Sequence, residues 1–135
     1  MQTWRVFLDA NILFSASLRR GMIATLVDAL RLRHQVVTSG LAAAEARRNL
    51  SRKQPQALLT LDVVLTGLPL VPEPDHVHDL NLPSADSQVL SSAIAAACTH
   101  FLTGDKKHFG QYFGQKINGV LIIQPSALAL ENDLL

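Results

Sequence analysis

The feature that most constrains this chain is an alternation of short, β-prone apolar runs with segments of helical periodicity, each run ending on turn-forming residues. Residues 4–8, Trp4-Arg5-Val6-Phe7-Leu8, read as a strand that stops at Asp9-Ala10-Asn11, two of whose side chains favour turns and helix caps. Residues 22–34 carry Met22, Leu26, Val27 and Leu30 on one stripe, and the β-branched Gln35-Val36-Val37-Thr38 follows and halts at Ser39-Gly40. Strand, helix, strand is the unit of a parallel sheet. Residues 41–53 are rich in the helix formers Ala, Arg and Glu, and Gln54-Pro55 opens a further helix through Leu58, Leu61, Asp62 and Leu65 that ends at Gly67. Residues 68–71 give a third strand, closed by Pro72 and Pro74, and the proline-rich stretch 72–83 reads as a surface connection. A Ser84 cap after Pro83 predicts a helix over about 85–98, and residues 100–103 and 119–123 supply strands four and five. The whole predicts an α/β fold, a parallel sheet of about five strands covered by helices on both faces.

At 135 residues the chain has a common domain size, so a single domain over 1–135 is expected. Hydrophobic residues make up 48% and charged residues 17%, too apolar a balance for disorder. The lone Cys98 ends a run of small residues, where a buried, inert thiol is expected, and the want of a disulfide framework fits a reducing cytoplasm. No run approaches the ~18 apolar residues of a membrane span, and Asp9 and Asn11 interrupt the early apolar run, against a signal peptide. The expectation is a cytoplasmic protein without membrane contact.

In open parallel sheets the functional crevice lies beyond the carboxyl ends of the strands. Asp9 closes the first strand, Asp105 follows the fourth by one glycine, and Asp86 lies in the first turn of the helix leading into it. Glu45 stands one helical turn beyond Leu41 and on its face, so it leans toward packed structure. Each acid has a structural explanation of its own: an Asx turn, a dipole partner, a turn residue, a surface pair with Arg48 or Asn49. Gathered together without basic partners they would repel, unless a hard divalent cation sat between them. Oxygen-only ligands suit Mg²⁺ or Mn²⁺; zinc would call for His or Cys, and the His76-Val77-His78 pair has no further ligand at zinc-site spacing. With four of the 11 acids in one pocket, seven remain against 12 basic residues, an acidic pocket in a basic surface suited to a polyanion.

These residues resemble the PIN-domain nucleases. The likeness is carried by Phe7-Leu8-Asp9-Ala10-Asn11-Ile12-Leu13-Phe14-Ser15, the isolated Glu45, Leu82-Pro83-Ser84-Ala85-Asp86 before a small-residue helix, and Leu102-Thr103-Gly104-Asp105 followed by Phe109. It spans nearly the whole chain, and its specificity lies in the four segments taken in order. The resemblance implies a three-layer α/β/α fold and a Mg²⁺- or Mn²⁺-dependent ribonuclease, with Asp9, Glu45, Asp86 and Asp105 as catalytic and metal-binding residues. Asn11 and Thr103 match polar positions that orient carboxylates or water. Small bacterial members resemble the VapC-like toxins of type II toxin–antitoxin pairs, which implies RNA as substrate, an antitoxin as partner and homodimers, although no contiguous apolar stripe demands a dimer. Where some members carry a further acid this chain has Lys106-Lys107-His108, so one ion or two remains open. Lys106, Lys107, Arg47, Arg48 and Arg52 follow site residues and are candidate RNA-backbone contacts, though such charge runs also serve as solvated faces.

Two other classes compete. A non-catalytic PIN-like module would bind RNA or protein without cleaving, but a decayed site should have lost an acid. An aspartyl-phosphate phosphatase or receiver also places Asp after its first strand. Asp9-Ala10-Asn11 lacks the second Asp and following Gly of the former, and the residues before the first strand lack the paired acids of the latter. No Gly-rich phosphate loop is present.

Overall fold

The computed structural model describes residues 3–132, with side chains through 130. Its six strands are β1 (Arg5–Leu8), β2 (Gln35–Ser39), β3 (Leu70–Val71), β4 (His100–Leu102), β5 (Lys116–Ile117) and β6 (Val120–Ile123), in the order β3-β2-β1-β4-β6-β5. All neighbouring pairs are parallel except the β5/β6 hairpin at one edge. The helices are α1 (Ala10–Ser17), α2 (Gly21–Arg33), α3 (Gly40–Lys53), α4 (Leu58–Leu65), α5 (Ser84–Ala95), α6 (Lys106–Phe109) and α7 (Pro125–Asn132).

The crossovers fix the layers. From β1 through β2 to β3 the chain steps in one direction, and α1 packs on α2, α3 and α4. The step from β3 back to β4 reverses direction, so a right-handed crossover carries α5 to the other face, where it touches β2. The direction therefore switches between β1 and β4, and the carboxyl ends of these two strands are the place where open parallel sheets form their crevice. Phe7 is in register with Val37 on one side and Phe101 on the other, and the Phe7 and Phe101 rings stack at 5.3 Å. Phe109 closes on Phe101 at 5.0 Å, anchoring the turn after β4 in the core. Removing a buried ring such as Phe101 costs about 3–5 kcal/mol.

The expected α/β fold with its parallel sheet is the observed one, with local corrections. Residues 10–17, where only the turn and cap signal of Asp9-Ala10-Asn11 is read from the sequence, form α1, because Ile12, Leu13 and Ala16 are buried and Ser17 returns its hydroxyl to the Leu13 carbonyl at 2.7 Å. The third strand shrinks to two residues at the sheet edge. Ser84 is the first helical residue of α5, not its cap; no side chain caps that helix, which stops at Ala95 before Ala97 takes a left-handed φ of 56°. The hairpin at Asn118-Gly119, with φ of 49° and 88°, adds β5, a turn for which Asn-Gly is the favoured pair.

Candidate functional site

Three strand ends pass the chain to a helix through a side-chain cap. Asp9 Oδ1 accepts from the Ala10 amide at 2.8 Å, Ser39 from the Ala42 amide at 3.2 Å, and Asp105 Oδ1 from the His108 amide at 3.1 Å. Capping alone accounts for Ser39; the two aspartates have further company.

Asp9 is buried, and its second oxygen accepts from Thr103 Oγ1 at 2.8 Å and Asn11 Nδ2 at 3.1 Å. Asn11 also donates to Thr103 Oγ1 at 3.2 Å and accepts from the Gly104 amide at 2.7 Å, so it ties the start of α1 to the end of β4. A Cβ at Gly104 would stand 3.4 Å from that Asn11 oxygen, in van der Waals contact with it. Thr103 in turn accepts from the Asp105 amide at 3.2 Å. Asn11 and Thr103 thus both donate to the same Asp9 oxygen, which holds its rotamer.

Burial pushes the Asp9 carboxyl up to about 6 against its bonds to Thr103 and Ala10, and the charges of Asp86 and Glu45 add to the rise. The Asp86 carboxyl is raised by desolvation, held down by His108, and raised again by Asp105 and Glu45. Asp9 thus feels the charges of Asp86 and Glu45, and Asp86 those of Asp105 and Glu45. No Lys or Arg pairs with any of them among the described residues.

The one residue that sequence reasoning misses is His108. Its Nδ1 lies 2.9 Å from Asp86 Oδ2 and 2.9 Å from Asp105 Oδ2. Together these three form a group whose ligand atoms lie within 4.8 Å of one another. The available signal is the helical spacing from Asp105, i to i+3, which brings side chains together on one turn. His76 and His78 meet edge to face at 4.8 Å on the 72–83 loop, and no third ligand joins them among the described residues.

Of the five basic candidates, Arg47 is paired with Asp62 on α4 at 2.6 Å and Arg52 donates to Asn49 at 2.8 Å. Arg48, Lys106 and Lys107 are exposed and make no ion pair among the described residues. Cys98 is buried, with its thiol pushed up to about 11 by desolvation, as an inert core group should be. No helix among the described residues is long and apolar enough to cross a membrane.

A mostly parallel sheet of this order, with helices on both faces and the acids beyond the ends of its central strands, defines a PIN-like α/β/α fold. Among solved structures it is shared by a chain of VapBC2 from Rickettsia felis, crystallised bound to a DNA fragment from their promoter. The TM-score is 0.63 over 89% of this chain and 98% of that one, with 17% identity, so the likeness is one of fold. Neither a family model nor a curated protein sequence matches the chain.

Proposed function

We propose that this protein is a Mg²⁺- or Mn²⁺-dependent ribonuclease that hydrolyses phosphodiester bonds through Asp9, Glu45, Asp86 and Asp105, and that it is the toxin of a toxin–antitoxin pair. The observation that carries the reading is a buried, hydrogen-bonded Asp9 that feels the charges of Asp86 and Glu45, with Asp86 in turn beside Asp105. Such a site is costly to maintain for stability alone, and a strongly shifted acid beside other carboxylates is a common mark of chemistry. The donor set fits the proposed ions: carboxylate oxygens throughout, with one imidazole, and no thiolate.

Asp9, Asp86 and Asp105 would hold the ion, which supplies Lewis-acid stabilisation of phosphoryl oxygens and a more acidic water. The residues themselves do the rest. Thr103 and Asn11 keep Asp9 in one rotamer, so the site needs no rearrangement as substrate arrives. Glu45, half-buried on α3, would order or deprotonate the attacking water. Arg48, Lys106 and Lys107, exposed and without an ion pair among the described residues, would offer cations to the RNA backbone.

The toxin reading draws on the fold shared with a chain of the VapBC2 assembly. It implies an antitoxin that covers the acidic rim, and action in the cytoplasm. Incubating labelled RNA with the protein in Mg²⁺, Mn²⁺ and excess chelator tests the enzyme. Cleavage confined to the metal-containing reactions is expected; cleavage that persists in chelator counts against it. Expression should arrest growth in the wild type and not in Asp9→Asn; harmless overexpression of an active nuclease would remove the toxin assignment alone.

A further inference from the structure

We propose that His108 is a cation ligand, and that its imidazole makes the Asp86–Asp105 side of the site a mixed oxygen and nitrogen subsite selecting Mn²⁺-class ions over Mg²⁺. The inference rests on the nuclease reading for the presence of a cation, and on geometry for its ligands.

One ring nitrogen faces two carboxylate oxygens from different segments, at 2.9 Å from each. Neighbouring ligand atoms on an octahedral ion at ~2.1 Å stand about 3 Å apart, the spacing of the ring nitrogen from each carboxylate oxygen, and the whole group lies within 4.8 Å. The ring is well positioned for the task. Its backbone amide is bonded to Asp105, the next residue is the fully buried Phe109, and the side chain itself is 35% exposed, leaving one side open.

The donor chemistry gives the consequence. Mg²⁺ is a hard ion that keeps oxygen ligands and waters, whereas imidazole suits transition metals. A nitrogen here strengthens Mn²⁺ binding without a matching gain for Mg²⁺. Asp9, ringed by Thr103, Asn11 and the Ala10 amide, has no histidine ligand beside it among the described residues, so the two halves of the site differ in the ions they favour. The competing role for His108 is a built-in counter-cation that a metal must displace, and the two roles predict opposite effects of removing the ring.

Mn²⁺ binding to the full chain, followed by electron paramagnetic resonance with detection of ¹⁴N modulation, separates them. The wild type should show a coordinated imidazole nitrogen. His108→Asn should abolish that signal and bind Mn²⁺ ~10-fold or more weakly, with a much smaller change for Mg²⁺. His108→Asp should keep Mn²⁺ without the nitrogen signal and narrow the preference over Mg²⁺, while His76→Asn with His78→Asn should leave the signal in place. Bound Mn²⁺ with no nitrogen modulation in the wild type, or tighter Mn²⁺ binding in His108→Asn, overturns the proposal. Metal-dependent RNA cleavage alongside either result, or binding of Mg²⁺ but not Mn²⁺, overturns it alone; failure of the wild type to bind either ion overturns the nuclease reading with it.

Discussion

The two ends of the sheet treat buried polar groups in opposite ways. At the amino ends of β1, β2 and β4, Trp4 stacks on His34 at 4.2 Å and tilts against His100 at 4.5 Å. The Trp4 amide donates to His34 Nδ1 at 3.0 Å, and Thr99 meets both the Arg5 amide and the His100 ring. Each histidine there is favoured neutral: burial holds both below the usual range, His100 down to about 4 with His34 and Lys116 adding to the fall. At the carboxyl ends, like charges converge with one imidazole among them. Neutral groups in satisfied contacts stabilise the fold; clustered carboxylates work against it until a cation arrives. The second end is therefore where function is to be sought.

The largest expected effect is on the carboxyl end alone. Asp86→Asn should lower RNA cleavage by about 10²-fold or more while leaving urea stability intact or improved, because a charge is removed from a repelling group. Cleavage within a few-fold of wild type would take Asp86 out of the chemistry.

The next effect sets the ends against each other in metal-free protein. Asp9, raised from 3.8 to about 6, binds more protons folded than unfolded between those values, so its contribution to stability is present at low pH and lost as pH rises through about 6. His100, lowered from 6.5 to about 4, contributes stability at neutral pH that is lost as pH falls through that window. Each is worth on the order of 3 kcal/mol, and they oppose, so wild-type stability should vary little between pH 4 and 6. Asp9→Asn should unmask the histidine, giving a protein more stable at pH 7 and falling more steeply on acidification in urea titrations.

Trp4→Ala should damage only the amino end, costing about 2 kcal/mol for a half-buried aromatic while activity per folded molecule holds. Smallest of all, Arg48→Ala or Lys106→Ala should weaken RNA binding a few-fold and reduce the salt-dependence slope by roughly 0.7 for each phosphate no longer neutralised. An unchanged slope would remove that residue from the interface.

Much of this contrast is legible in the sequence, for physical reasons that vary along the chain. The parallel sheet announces itself because strands buried on both faces are continuous apolar runs, as Val6-Phe7-Leu8 and Phe101-Leu102 are. The acids can be found because strand ends are fixed by turn residues, and those ends are where the crevice lies. α1 is hidden because a short helix buried over most of its surface shows no clear periodicity, and Ile12-Leu13-Phe14 reads equally as strand. The Asn118-Gly119 hairpin carries a plain turn signal that merges with the neighbouring strand. His108 escapes because its role depends on Asp86, 22 positions earlier in the chain, a proximity made only by the crossover from α5 into β4.

The measurement that bears most directly on the carboxyl end is cleavage of labelled RNA in Mn²⁺ by wild type and Asp9→Asn, compared at equal folded fraction. The substitution removes the charge that Thr103 and Asn11 hold in place and leaves the side chain nearly the same size. Loss of cleavage with the fold intact is the predicted result. Equal cleavage by the two proteins would contradict the assignment of this acid cluster to catalysis.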